Sequence, residues 1–439
     1  MNYADFVDIG FKAPKEWLLA EYRVEPASGT SLKDAAGGIA AESSVGTWTQ
    51  LSTITDKRMR EKAAHVYSMK EVGGGAAIIK IAYPPELFEG GNMPQVFSSI
   101  AGNIFGVSII KNLRFLDFSM PPALVRSFAG PRHGIEGVRK LTDTAKNRRP
   151  LVGTIIKPKL GLDALEHSKV AYEAWMGGID VVKDDENLSS MRFNNFEKRV
   201  RLTLAAKRKA EKETGEKKIY LANVTAETME MLRRAKFVEK LGGEYVMVDL
   251  LTAGFAGVQS LRQMDSDLFI HAHRAMHAAL DRSPKHGIAM KVLAKAARLV
   301  GVDQIHVGTA GVGKMEESVP EDVAIFKMLK GQKIAENDSL EMLSQDWGAM
   351  KPVLSVCSGG LHPATVGPLV KIFGADIVIQ AGGGVHGHPN GTRPGAVAMR
   401  QAASAAVAGI PAAQYAKTHP ELRLALEKWP SQTQSKRVQ

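Results

Sequence analysis

Cysteine is almost missing from this chain. Cys357 stands alone among 439 residues, so no internal disulfide can form and a reducing cytoplasm is the expected setting. No apolar run approaches the roughly 18 residues that a membrane span needs. The start, Met1-Asn2-Tyr3-Ala4-Asp5, also lacks the basic and apolar character of a signal peptide. Aromatic residues are scarce at 6%, and none interrupts the densest basic stretch, Lys198 to Lys218. That stretch is interleaved with Glu211, Glu213 and Glu216 in a helix-like pattern, which describes a solvated helix face. With no stacking platform beside it, a nucleic-acid partner is not expected, and the net charge of +11 suits acidic ligands in general. No low-complexity segment or short-period repeat is present. What is there is an ordinary globular composition, 44% hydrophobic and 23% charged, in a chain too long for one compact core. Two domains are therefore expected.

The organisation changes near Arg148-Arg149-Pro150, giving an expected first domain over 1–148 and a second over 149–439. In the first, strand-like runs (Leu18 to Val24, Ala76 to Tyr83) mix with helix-like ones (Ser31 to Ala41, Pro94 to Ile100), the pattern of an α+β domain. In the second, short apolar strands alternate with amphipathic helices. The predicted strands are Val152–Ile156, Ile179–Lys183, Ile219–Asn223, Tyr245–Asp249, Leu268–His271, Gln304–Val307, Val353–Val356 and Ile377–Gln380. Eight such units in series predict a closed (β/α)8 barrel, with a doubly wound open sheet as the alternative.

The stretch Gly177 to Asn187 carries the most chemistry. It begins as a β-branched buried strand and ends in Lys183-Asp184-Asp185-Glu186, where a core should be closing. Alternation puts Lys183 and Asp185 on one face, with Glu186 able to turn in from the loop. Charges there must pair or hold a cation, and two carboxylates suit a hard ion such as Mg2+. In a barrel, chemistry gathers just past the strand ends. Those ends read Lys157-Pro158-Lys159, Lys183 to Glu186, Asn223, His271-Ala272-His273-Arg274, His306 with Gly308 to Lys314, Ser358-Gly359-Gly360 and Gly382-Gly383-Gly384. Taken singly, each has a plain reading as a turn glycine, a structural histidine or a solvated lysine. Together on one rim they point to a site.

The residue types suggest the reaction. Gly-rich turns after strands seven and eight expose backbone N–H groups to one phosphate, and Arg274 with His306 suits a second. A metal among lysines and a histidine suits enolisation beside a carbonyl, so Mg2+-dependent enolate chemistry on a doubly phosphorylated sugar is expected. The run Gly308 to Lys314 opens like a P-loop, but Met315 stands where Ser or Thr would bind Mg2+. It reads instead as a mobile loop carrying Lys314 over the site.

These motifs, with Glu42-Ser43-Ser44-Val45-Gly46-Thr47-Trp48-Thr49 and Ala101-Gly102-Asn103-Ile104-Phe105-Gly106, resemble the large subunit of ribulose-1,5-bisphosphate carboxylase/oxygenase almost end to end, most like the archaeal form III enzymes. The resemblance implies a ferredoxin-like α+β domain before a TIM barrel. It implies that Lys183 takes up CO2 as a carbamate and binds Mg2+ with Asp185 and Glu186. It assigns enolisation to the Lys183 carbamate, proton movement to His273, carbanion protonation to Lys157 and carboxylate stabilisation to Lys314. Thr47, Trp48, Gly382, Gly383 and Lys314 match one phosphate site, and Arg274, His306 and Ser358 the other, with Lys159, Gly359 and Gly360 also at the substrate. Glu42 and Asn103 are expected to complete a neighbouring subunit's site. The implied partners are ribulose 1,5-bisphosphate, CO2 and O2, in a homodimer or an assembly of dimers without a small subunit. The sequence departs from the family pattern at Met315-Glu316-Glu317, where a hinge glycine is usual, and at His386, where leucine is common. A related enolase or isomerase acting on a similar sugar phosphate is the competing assignment.

Overall fold

A computed structural model describes residues 2–49, 57, 61–314 and 318–430. The expectations placed on Met315-Glu316-Glu317 lie outside these described residues. The chain divides into two compact units, one of residues 1–130, 276–300 and 331–350 and the other of 131–275, 301–330 and 351–439.

The first unit is built on strands β1 (Leu18–Pro26), β2 (His65–Gly73), β3 (Ala76–Tyr83) and β4 (Ile110–Ser119). With the short strand Gly287–Ile288 they form a five-stranded sheet in the order 287–288, β4, β1, β3, β2. The four long strands pair antiparallel. Period-two alternation is plain in β1, where Leu18, Ala20, Tyr22 and Val24 are wholly buried. Helices Leu32–Glu42 and Met93–Ile100 bury Ala35, Ala36, Ile39, Val96 and Ile100. The other face of β1 carries Glu21, in register with Lys80 on β3 and Asp117 on β4. Asp117 forms a fully buried ion pair with Lys295 at 2.7 Å and accepts the Leu343 N–H at 2.8 Å. Removing one partner of such a pair strands a buried charge, which holds segments 276–300 and 331–350 in this unit.

In the second unit eight strands close a ring: β5 (Leu151–Ile155), β6 (Val181–Lys183), β7 (Ile219–Asn223), β8 (Tyr245–Asp249), β9 (Phe269–His273), β10 (Gln304–His306), β11 (Leu354–Ser358) and β12 (Ile377–Gln380). All neighbours are parallel, and β12 pairs with β5 to close the barrel, which excludes the open-sheet alternative. Three strands match the sequence expectation to the residue. β6 starts two residues later than expected because Ile179 and Asp180 have other work. The Ile179 N–H closes the preceding helix on Ala174, while Asp180 receives Arg149, Arg400 and the Val152 N–H. β9 runs on to His273 because Asp249 and His273 stay in register.

One face of seven of the eight strands points into a shared apolar core. Leu151, Val181, Ile219, Tyr245, Phe269, Leu354 and Val378 pack there with Ile135 and Val138 of helix Gly134–Leu141. Two or four residues further along the same faces come Lys183, Asn223, Asp249, His273 and Ser358. The interior thus changes from apolar to polar toward the strands' C-terminal ends.

Candidate active site

The β6 turn is fixed from beneath before it can present anything. Asp184 is fully buried and bonded to Arg199 at 3.1 Å, Tyr220 at 2.8 Å and the Asn223 N–H at 3.0 Å. His167 lies 3.0 Å away. Burial opposes its ionisation, but Arg199 and then His167 hold it well below the usual carboxylate range. The Asn223 side chain donates to the backbone oxygens of Glu186 (3.1 Å) and Leu188 (3.2 Å), shaping the turn that aims Asp185 and Glu186.

Lys183 is wholly buried, its Nζ 2.8 Å from the Asp184 carbonyl, 3.2 Å from Glu186 Oε2 and 3.2 Å from Met247 Sδ. Asp185 Oδ2 meets Lys157 Nζ at 2.8 Å. Burial raises the Glu186 pKa, but Lys183 and then His273 outweigh it and hold the group at about 2. Two cations and two anions therefore cancel in this cluster. The structure brings Lys157, Lys183, Asp185, Glu186 and His273 together; Lys159 is exposed, 3.3 Å from Asn187.

His273 Nδ1 lies 3.3 Å from Asp249 and 3.1 Å from the Ala275 N–H, with Nε2 3.6 Å from Glu186. Burial, then the charge of Lys183, lowers its pKa, so the ring is neutral and able to accept a proton. Beside it runs a chain of rings. His271 Nδ1 meets Gln304 Oε1 at 3.0 Å, its Nε2 meets His306 Nε2 at 3.0 Å, and His306 Nδ1 meets Ser358 Oγ at 2.7 Å. Burial lowers the pKa of His271 to about 3 and that of His306 well below its ordinary value. Each neutral ring has one proton, so the Gln304 carbonyl sets every direction: His271 donates to it, His306 donates to His271, and Ser358 donates to His306. The serine oxygen is left as an acceptor.

Three loops complete the mouth. Asp322 accepts the Ala310 N–H at 2.8 Å, Thr309 accepts the Gly313 N–H at 2.9 Å, and the Lys314 N–H bonds Gly359 at 3.0 Å. A Cβ on Gly360, whose φ is +74°, would lie 2.4 Å from Lys314 Cγ. The lysine loop is thus seated on the Ser358-Gly359-Gly360 turn, and only glycine permits that approach. A Cβ on Gly382 would come within 2.9 Å of Lys157 Cε, whereas Gly383 faces open space. Arg274 is half-buried at the end of β9.

Glu42, Thr47, Trp48 and Asn103 belong to the first unit. Glu42 ends a helix and accepts from Tyr3 at 3.3 Å, Thr47 is half-buried, and Asn103 is exposed. Trp48 is 82% exposed. The sequence reading passed over Asp249 and Met247, although both share the inward face of β8 and Asp249 ends that strand as an acid. It also gave no role to His271, Gln304 or Thr154, whose partners come from other strands.

Residues 5–124 match the family model described as "Ribulose bisphosphate carboxylase large chain, N-terminal domain", and 134–429 match that of the catalytic domain. A protein named ribulose bisphosphate carboxylase from Methanocaldococcus jannaschii is 50% identical over 97% of this chain and 100% of its own. One of the same name from Methanosarcina mazei is 46% identical over 97% and 99%. Among solved structures, a dimeric archaeal Rubisco from Hyperthermus butylicus superposes with a TM-score of 0.92 at 47% identity, covering 97% of this chain and 99% of that one. An octameric Rubisco from Pyrococcus horikoshii, solved with sulfate, gives 0.90 at 45% over 98% and 97%.

Proposed function

The chain belongs to the ribulose bisphosphate carboxylase large-chain family and is a carbon–carbon lyase, and from that premise we propose how its residues divide the work. The substrate is ribulose 1,5-bisphosphate, which is enolised, carboxylated and cleaved to two molecules of 3-phosphoglycerate, with O2 able to replace CO2 in a side reaction. The enolase or isomerase alternative does not fit relatives that bear the carboxylase name across 97% of the chain.

The observation that carries the reading is the balanced cluster of Lys157, Lys183, Asp185 and Glu186. Among the described residues no three His, Cys, Asp or Glu side chains stand close enough to hold a metal by themselves. Loss of a proton frees the Lys183 amine, and its addition to CO2 with release of a second proton to solvent changes the residue from a cation to an anionic oxygen donor, 3.2 Å from Glu186 at its nitrogen. The cluster then carries two net negative charges and three hard-oxygen side chains, which fits one Mg2+. When bound, Mg2+ polarises the substrate's carbonyl and hydroxyl oxygens.

The carbamylated Lys183 removes the substrate's C3 proton. His273, its Nδ1 held by the Ala275 N–H, moves a proton at a substrate hydroxyl through Nε2. Lys157, held by Asp185, returns a proton to the carbanion left by cleavage, and Lys314 stabilises the new carboxylate. Gly382 and Gly383 hold one phosphate, with Thr47 and Trp48 supplied by the first unit of this or a second copy. Arg274 and Ser358 hold the other, Ser358 turning its hydroxyl hydrogen from His306 Nδ1 to a phosphate oxygen, and Lys159, Gly359 and Gly360 line the substrate's path. Glu42 and Asn103 complete the site of a second copy, so the working form is a homodimer or an assembly of dimers, without a small subunit. Among the described residues no helix is long and apolar enough to cross a membrane.

Activation tests this reading. Only a neutral amine adds to CO2, so preincubation with CO2 and Mg2+ at mildly alkaline pH should raise the carboxylation rate. Lys183→Ala should abolish it while the protein stays folded. Full activity in that variant would remove the carbamate from the account.

A further inference from the structure

His386 is a basic residue beside the Gly-rich turn after β12, and the mechanism above does not use it. Its surroundings define what it does. The Thr154 hydroxyl on β5 donates to the Ala381 carbonyl at 2.9 Å. A hydroxyl has one hydrogen, so the same oxygen must accept from His386 Nε2, also 2.9 Å away. With the proton on Nε2, Nδ1 is an acceptor, and the Thr392 hydroxyl lies 3.1 Å from it at the start of helix Thr392–Val407. A neutral ring gives every hydrogen in this set a place.

The segment so held is narrow. The Ala381 N–H bonds Gly153 at 2.9 Å, and the His386 N–H returns to Gly382 at 3.0 Å. A Cβ on Gly384 would meet the Leu361 carbonyl at 2.2 Å, and one on Gly382 would meet Lys157. The turn is therefore wedged between Lys157 and the loop after β11, with Gly383 at its open apex and the imidazole behind it.

We infer that His386 is a positioning residue for the phosphate-binding turn Gly382–Gly383, clamping it to β5 through Thr154 and to the following helix through Thr392. This rests on the reading that the turn holds a substrate phosphate. His386 is not itself a cationic phosphate ligand: burial, opposed by the Ile155 carbonyl and aided by Lys157 and His167, lowers its pKa to about 4. Thr154 lies three residues before Lys157, so the same clamp sets the turn's distance from the lysine it touches.

Steady-state carboxylation by the full-length, Mg2+-activated protein tests this with four variants. His386→Leu and Thr154→Val remove the bond to Thr154 and should each raise the KM for ribulose bisphosphate roughly 10-fold, with kcat changed less than about 2-fold. Combining them should add little. His386→Gln keeps a donor where Nε2 was and should restore KM to within about 2-fold, while His386→Asn, which can serve only Thr392, should not. Between about pH 6 and 8 the KM profiles of the parent protein and His386→Gln should coincide. An unchanged KM in His386→Leu, no rescue by Gln, or substrate binding that tightens below about pH 6.5 only when the histidine is present would each overturn the inference. If the parent protein itself fails to carboxylate, the functional reading falls instead. The clamp is then judged by calorimetric binding of inorganic phosphate, which should be weaker in His386→Leu than in His386→Gln and equal in both if the clamp is absent.

Discussion

Several ring nitrogens in the barrel mouth are kept unprotonated by burial, and this has a measurable price. His271 is lowered from an ordinary 6.5 to about 3 and His386 to about 4, both first by burial. The unfolded chain takes up these protons near pH 6.5 and the folded chain does not. Stability is therefore undiminished above about 6.5 and falls as pH drops toward the folded-state values, by about 1.4 kcal/mol per pH unit for each such histidine. Glu186 has the same sign in a lower window: its stabilising contribution is full above its ordinary value of 4.5 and is lost as pH falls through about 2. Denaturant unfolding between about pH 7 and 5 should show the histidine effect, and His271→Asn should flatten the slope by about one histidine's share. An unchanged slope would mean that His271 is protonated in the fold. The charged members of this site were legible because lysines and acids at an apolar strand's end are conspicuous. The Gln304–His271–His306–Ser358 chain was not, because its order depends on three different strands facing one another.

At the level of elements, strands were legible wherever short apolar runs met turn residues, as in β7, β8 and β12. Boundaries slipped where a side chain took over a backbone's task, as Asp180 does before β6. The loop carrying Lys314 shows a further limit. Its glycines were visible in the sequence, but its seat on Gly359 and Gly360 was not. In the proposed division of labour, enolisation depends on the β6 turn and carboxylation on this loop. Lys314→Ala should keep exchange of the substrate's C3 proton with solvent while lowering carboxylation at least about 100-fold. Gly360→Ala, whose new methyl group would displace the lysine and whose φ is +74°, should show the same split at about 10-fold. Equal loss of both steps in either variant would show that the loop acts from the first step onward.

At the scale of the whole molecule, the proposed sharing of sites between copies makes a single chain insufficient. In the proposed two-fold pair, each copy's Glu42 and Asn103 would reach the other's barrel. Glu42→Gln and Lys183→Ala should each be inactive, yet mixing them under conditions of subunit exchange should restore partial activity, because some hybrid sites have both residues intact. Proven exchange without recovery would mean that each chain works alone. The central claim is that CO2 converts a neutral four-residue cluster into a doubly anionic Mg2+ site that then carboxylates the sugar. Incubation with ribulose 1,5-bisphosphate, Mg2+ and labelled bicarbonate tests it most directly. Label should enter the carboxyl group of one of the two 3-phosphoglycerates formed per sugar consumed, and none should enter with Lys183→Ala. Consumption or isomerisation of the sugar without label, or equal labelling by the Lys183→Ala protein, would contradict the account.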